Sequence, residues 1–170
     1  NLIMDNRSAE GKCEPFIIVM TYGMTNDVKF GGLGGFNFKD FETVLVDELV
    51  PYIDANFKTI AKKDFRAMAG LSMGGMETRA ITLARPEVFG YYGLLSGGTS
   101  SPEDIKDPSQ VKGIFLSCGG KEGPDQIMKA AEALKAAGFN AKGYVSPETG
   151  HEFQTWRRSL LEMAPMLFKK

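Results

Sequence analysis

The chain has 170 residues, which is enough for one domain with a sizeable core and too few for two ordinary ones. Hydrophobic residues make up 43% of the chain and charged residues 24%, a balance that argues against disorder. The formal net charge of -1 does not favour a nucleic-acid partner, and no run approaches the ~18 apolar residues of a membrane span.

The first part of the chain holds an apolar run, a glycine-rich stretch and a helical pattern. Residues 15–22 are continuously apolar, which predicts a strand covered on both faces. Residues 23–39 contain the Gly31–Gly35 cluster without a phosphate-loop pattern, which predicts a long flexible loop near the substrate. From Asp40, apolar residues recur at three- and four-residue steps, so we expect a helix that Pro51 kinks or splits.

The rest of the chain alternates short apolar segments with helical patterns. Strands are predicted at residues 66–71, 91–96, 112–118 and 141–146, and helices at residues 74–84, 125–137 and 153–168. This alternation predicts an α/β fold with a mostly parallel sheet and helices on both faces. No boundary divides residues 1–170, so we expect a single domain whose site lies beyond the carboxyl ends of the strands.

The strongest chemical signal is the stretch Gly70–Gly74, which fits the G-x-S-x-G pattern of a nucleophile elbow. In such an elbow a serine sits at strained backbone angles between a strand and a helix, and small neighbours let the two elements approach closely. The pattern predicts Ser72 as the nucleophile. The N–H of Met73 should then point at the developing oxyanion.

His151 is the only histidine, and it follows the last predicted strand. A serine hydroxyl needs a base that titrates near neutrality, and an α/β-hydrolase carries that base after its last strand. We therefore expect His151 to be the general base. A carboxylate between the two should orient the imidazole, and both Glu122 and Asp125 qualify by their position after a strand.

Other residues carry weaker signals. Tyr22 and Trp156 could line an aromatic substrate pocket, or they could belong to the core. Cys13 and Cys118 lack the spacing of a metal site, and we expect neither a metal nor a cofactor.

These residues resemble the feruloyl esterases of carbohydrate esterase family 1, within the wider esterase D-like group. The resemblance spans nearly the whole chain, and its most specific stretches are residues 69–75 and 150–156. It implies an α/β-hydrolase fold and a triad of Ser72, His151 and an acid. The relatives usually carry an aspartate a few residues past a small pair, and the matching position here is Glu122, which favours it over Asp125.

The resemblance also implies an earlier segment with two or more strands and a loop that supplies a second oxyanion donor. This chain begins after the matching point, so we expect a sheet without its first strands. An exposed sheet edge would favour self-association, or association with the missing N-terminal segment. The chain shows no signal peptide, but its resemblance implies a secreted or extracellular protein.

Three functions follow from these expectations. The first is a serine carboxylesterase that releases hydroxycinnamates such as ferulate from xylan side chains, with a feruloylated polysaccharide or small ester as substrate. The second is another esterase D-like activity on acetyl esters, S-formylglutathione or siderophore esters. The third is a truncated hydrolase fragment that turns over poorly.

Overall fold

The computed structural model describes residues 2–24, 38–105 and 107–169. Its centre is a four-stranded parallel sheet in the order β1-β2-β3-β4. The strands are β1 (Ala67–Leu71), β2 (Tyr91–Leu95), β3 (Gly113–Gly119) and β4 (Ala141–Ser146). Every residue of β2 and β3 is buried, as continuous apolar runs predict for parallel strands covered on both faces.

Six α-helices are present in the described ranges: α1 (Leu2–Ala9), α2 (Phe38–Thr43), α3 (Val50–Asn56), α4 (Met73–Ala84), α5 (Asp125–Ala136) and α6 (Phe153–Met163). Short 3₁₀ turns lie at Lys63–Phe65, Pro102–Asp104, Pro108–Gln110 and Ala164–Met166. No described helix is long and apolar enough to cross a membrane.

Two hydrophobic clusters cover the two faces of the sheet. One joins α4 and α5 to the sheet through residues such as Ile81, Leu94 and Leu134. The other joins α6 to the opposite face through Phe115 and Met163. The prediction of a mostly parallel sheet with helices on both faces is therefore confirmed.

The predicted strand at residues 15–22 is wrong. This segment has no regular secondary structure, and Ile17, Ile18, Val19 and Met20 are exposed. An apolar run becomes a strand only when a neighbouring strand accepts its backbone hydrogen bonds. Within the described residues the sheet ends at β1, whose one strand partner is β2.

A kink or split was predicted at Pro51, but the helical run continues through it, and the departure from α-helical geometry lies in the preceding residues. Residues Val44–Leu49 are π-helical, and Pro51 lies in the first turn of α3 immediately after them. The N–H of Val50 bonds the carbonyl of Leu45, five residues earlier. Because Pro51 has no N–H to complete the normal ladder, the wider turn rearranges the backbone bonds without ending the helical run.

Two predicted element boundaries differ from those in the structure. The last helix was predicted to reach residue 168, but α6 ends at Met163 and a 3₁₀ turn containing Pro165 follows. Proline cannot donate the backbone bond that would continue the helix. The predicted loop at residues 23–39 ends earlier than expected, since α2 begins at Phe38, and its Gly31–Gly35 cluster lies outside the described residues.

Candidate active site

Ser72 occupies a tight turn between the end of β1 and the start of α4. Its φ of 54° and ψ of -120° are strained for a serine, as a nucleophile elbow requires. Its N–H bonds the carbonyl of Leu95 on the neighbouring strand, which fixes the turn to the sheet. The strain is thus held by the surrounding backbone.

Glycines permit the close approach that forms this turn. A Cβ on Gly70 would lie 2.1 Å from the carbonyl oxygen of Gly74, and a Cβ on Gly75 would lie 2.7 Å from Cα of Gly97. A Cβ on Gly74 would meet nothing within 4 Å. The helix side of the elbow therefore depends on Gly75 and on Gly97 after β2, which the G-x-S-x-G pattern does not include.

The structure brings Ser72, His151 and Glu122 into one chain of contacts at the carboxyl ends of the strands. Nε2 of His151 lies 2.8 Å from Oγ of Ser72, and Nδ1 lies 2.6 Å from Oε1 of Glu122. An ionised carboxylate only accepts hydrogen bonds, so Nδ1 carries the proton and Nε2 accepts from the serine hydroxyl. This is the protonation pattern that a general base needs.

The loop that carries His151 is fixed against the end of β3. A Cβ on Gly119 would lie 2.4 Å from the carbonyl oxygen of Thr149, so only glycine permits this approach. The N–H of Lys121 bonds that same carbonyl, and the buried Thr155 hydroxyl bonds Thr149 from the first turn of α6. These contacts explain how His151 reaches its two partners although its side chain is 49% exposed.

Glu122 is the better-placed of the two predicted acids. Its Oε2 accepts hydrogen bonds from the Gly119 N–H at 2.6 Å and from the Ser96 hydroxyl at 2.8 Å. Burial alone would raise the pKa of this carboxyl, but the bonds from Gly119, His151 and Ser96 together hold it below its ordinary value. Glu122 is therefore ionised at neutral pH.

The alternative acid, Asp125, does not reach the site in the described structure. It is the exposed first residue of α5, and the partner of Nδ1 of His151 is Glu122. A glutamate at position 122 reaches back across the turn after β3, whereas the backbone at position 125 has already entered the helix.

The other predicted site residues have mixed placements. Met73 is the first residue of α4, where helix N–H groups have no acceptor within the helix, so it can serve an oxyanion. Trp156 lies on α6 with its ring against His151, at 5.1 Å between centroids, and its N–H on Ser96. Tyr22 is 83% exposed in the segment before Gly23. The substrate contacts of both aromatic residues stay predictions.

Sequence reasoning missed Ser96 and a buried carboxylate on α4. Glu77 is 5% exposed, and its Oε2 would lie 3.0 Å from a Cβ on Gly23, whose φ is +73°. Burial raises the pKa of Glu77 to about 7 from an ordinary 4.5. Glu77 lies next to the buried Thr78 on α4. Because the buried positions of this helix include polar residues, the sequence pattern does not distinguish Glu77 from a solvent-exposed charge.

Glu77 should make stability depend on pH. Below about pH 4.5 both the folded and the unfolded state hold the proton, so the stability does not change with pH through this group. Between pH 4.5 and 7 the unfolded state releases its proton first, and the stability falls. Glu77→Gln should therefore be more stable than wild type by about 1–3 kcal/mol at pH 8 and nearly equal at pH 4.5, as measured by urea unfolding. The exposed Glu132→Gln is the control, and an unchanged pH slope in Glu77→Gln would refute the prediction.

The fold and the geometry together define a class of protein. A parallel sheet with a nucleophile elbow after one strand, and an acid and a histidine after two others, is an α/β-hydrolase. The chain belongs to the Esterase family, whose model matches residues 4–167.

Comparisons with known proteins agree with this class. The chain is 66% identical over 168 residues to an endo-1,4-beta-xylanase/feruloyl esterase of Xylanibacter ruminicola, covering 99% of this chain and 23% of that protein. It is similar in fold to a feruloyl esterase module from Clostridium thermocellum complexed with sinapinate, with a TM-score of 0.74, 19% identity and coverage of 97% and 68% of the two chains. It is also similar in fold to a ferulic acid esterase from Anaeromyces mucronatus in complex with ferulic acid. The TM-score is 0.73 and the identity 18%, with coverage of 96% of this chain and 69% of that chain.

Proposed function

We propose that this chain is the catalytic part of a serine carboxylesterase that releases hydroxycinnamic acids, ferulate above all, from xylan ester side chains. The observation that carries the proposal is the contact chain from Ser72 through His151 to Glu122. The acyl group is suggested by the 66% identical relative, whose name joins a xylanase to a feruloyl esterase. The polysaccharide context makes an extracellular site of action part of the same proposal.

The geometry supports a two-stage acyl transfer. His151 takes the hydroxyl proton of Ser72 as Oγ bonds the ester carbonyl carbon, and the carbonyl oxygen becomes an oxyanion that the Met73 N–H can stabilise. The tetrahedral intermediate then expels the sugar alkoxide, which takes the proton from His151, and leaves a feruloyl ester on Ser72. Glu122 remains ionised and stabilises the imidazolium.

The second stage repeats these roles with water. His151 takes a proton from a water molecule as its oxygen attacks the acyl-enzyme, and Ser72 leaves as the hydroxyl when His151 returns the proton. The sum is hydrolysis of one ester to one acid and one alcohol. No step requires an electron carrier or a metal ion, since the nucleophile, base and acid are all side chains of this chain.

A substrate panel tests the acyl group. The panel contains methyl ferulate, methyl acetate with the same leaving group, feruloylated arabinoxylan oligosaccharides, S-formylglutathione and a catecholate siderophore ester, each measured as kcat/KM with the purified chain. We expect the feruloyl esters to exceed the acetyl ester at least about tenfold, because an aromatic acyl group adds apolar contact worth ~1.4 kcal/mol or more. A clear preference for acetate, the thioester or the siderophore would contradict the ferulate proposal while leaving a serine esterase.

A further inference from the structure

Ser96 follows the last residue of β2 and adopts a backbone conformation that serine rarely takes. Its φ is +49°, in the left-handed region, and the next two residues are Gly97 and Gly98. Glycine would adopt this conformation without strain, whereas a residue with a Cβ is strained there. A glycine at position 96 would lack only the hydroxymethyl group, so the hydroxyl is the feature that needs an explanation.

The Ser96 hydroxyl joins Trp156 to Glu122. Oγ lies 3.0 Å from Nε1 of Trp156 and 2.8 Å from Oε2 of Glu122. An indole N–H can only donate, so it occupies a lone pair of the serine oxygen and leaves the single hydroxyl proton to be donated elsewhere. Because a carboxylate can only accept, that proton points at Glu122.

The two carboxylate oxygens of Glu122 have different hydrogen-bond partners. Oε2 of Glu122 holds two donors, the Ser96 hydroxyl and the Gly119 N–H, and Oε1 is left to the imidazole of His151. Two donors on one oxygen fix the plane of a carboxylate that could otherwise turn about its Cγ–Cδ bond. The Trp156 ring meets the His151 ring edge to face, at an interplanar angle of 90°, so one side chain contacts both the base and, through Ser96, the acid.

We propose that Ser96 and Trp156 are positioning residues of the esterase site, which act by fixing the Glu122 carboxylate so that it holds His151 in line with Ser72. The proposal rests on the proposed function for its consequences in turnover. It also assigns Trp156 a different role from the substrate contact that its sequence position suggests. A misplaced carboxylate disturbs the alignment of the reacting groups but not the binding of the substrate. Loss of either residue should therefore lower kcat and leave KM unchanged.

Four variants of the purified chain separate the hydroxyl from the strain and the indole N–H from its ring: Ser96→Gly, Ser96→Ala, Trp156→Phe and the Ser96→Ala/Trp156→Phe double variant. Ser96→Gly removes both hydroxyl and strain, while Ser96→Ala removes the hydroxyl and keeps the strain. We expect kcat for methyl ferulate to fall about 10- to 100-fold in both, with KM unchanged. Thermal unfolding of Ser96→Gly should occur at or above the temperature of Ser96→Ala.

Trp156→Phe should lower kcat by a smaller factor, because a phenyl ring can still pack near His151 but cannot orient the Ser96 proton. The double variant should be no slower than Ser96→Ala, since the indole acts through a hydroxyl that is already gone. A Trp156→Phe enzyme with raised KM and unchanged kcat would make Trp156 a substrate contact and overturn its positioning role. A Ser96→Gly enzyme with wild-type kcat would overturn the role of Ser96.

A second readout does not need turnover. His151 is the only histidine, so its imidazole signals in proton–nitrogen NMR spectra require no assignment. We expect the Nδ1–H signal of the wild type to lie far downfield, and in Ser96→Gly to move upfield and exchange faster with water. An unchanged signal would contradict the inference. If the wild type hydrolyses no ester while this signal still moves in Ser96→Gly, the positioning role stands and the proposed function fails.

Discussion

Replacement of Ser72 by alanine is expected to reduce kcat/KM for methyl ferulate by about 10⁴- to 10⁶-fold. Oγ of Ser72 is the atom that His151 faces at 2.8 Å, and without it no acyl-enzyme can form. The residual rate would come from water attack assisted by binding and by the oxyanion N–H. The measurement is release of ferulate followed by absorbance or chromatography over several hours.

The matched control is Ser109→Ala, which removes a hydroxyl from an exposed 3₁₀ turn far from the elbow. It should keep wild-type turnover. Ser72→Ala should also unfold at a temperature close to that of the wild type, because the Ser72 N–H that bonds Leu95 is retained. A Ser72→Ala protein that cleaved methyl ferulate at full rate would remove Ser72 from the mechanism.

Replacement of Glu122 by glutamine is expected to lower kcat by about 10³- to 10⁴-fold. The amide has no charge to stabilise an imidazolium, and its NH₂ group would face either the two donors on Oε2 or Nδ1 of His151. In the second orientation the amide donates to Nδ1, which shifts the imidazole proton to Nε2. The nitrogen that should accept from Ser72 would then be blocked.

Two further variants sharpen this result. Asp125→Asn changes the other predicted acid at an exposed position of α5, and it should leave kcat unchanged. Glu122→Asp keeps the charge but withdraws it by one methylene, so its kcat should lie between those of wild type and Glu122→Gln. A loss in Asp125→Asn as large as the loss in Glu122→Gln would reverse the assignment of the acid.

The fold could largely be predicted because a local run of apolar residues marks most of the strands. Segments such as 91–96 and 112–118 are mostly apolar, and β2 and β3 are buried on both faces as that pattern predicts. Residues 15–22 carry a similar pattern but form no strand, because a strand needs a neighbouring strand to accept its backbone hydrogen bonds, and a local pattern does not reveal whether one is present. The π-helical residues before Pro51 were not predicted either, because the sequence pattern predicted only a kink or a split at the proline.

The site could be predicted where its residues follow a motif. Ser72 was predicted from the nucleophile-elbow motif and His151 from its position after the last strand. In the structure Oγ of Ser72 lies 2.8 Å from Nε2 of His151. The choice between Glu122 and Asp125 needed coordinates, since both follow β3 and only the chain path separates them. Ser96 was missed because its contacts with Glu122 and Trp156 span 26 and 60 residues of sequence. The one local signal was a serine directly before two glycines, where the backbone turns left-handed.

Labelling by a fluorophosphonate probe measures whether Ser72 is an activated nucleophile. The probe phosphonylates only a serine whose proton a neighbouring base removes, so it reports the Ser72–His151 contact independently of the acyl group that the enzyme prefers. Intact mass should show one adduct per wild-type chain, mapped to Ser72, and none on Ser72→Ala. Well-folded wild type that takes up no probe, or an adduct that persists on Ser72→Ala, would show that Ser72 is not the activated nucleophile.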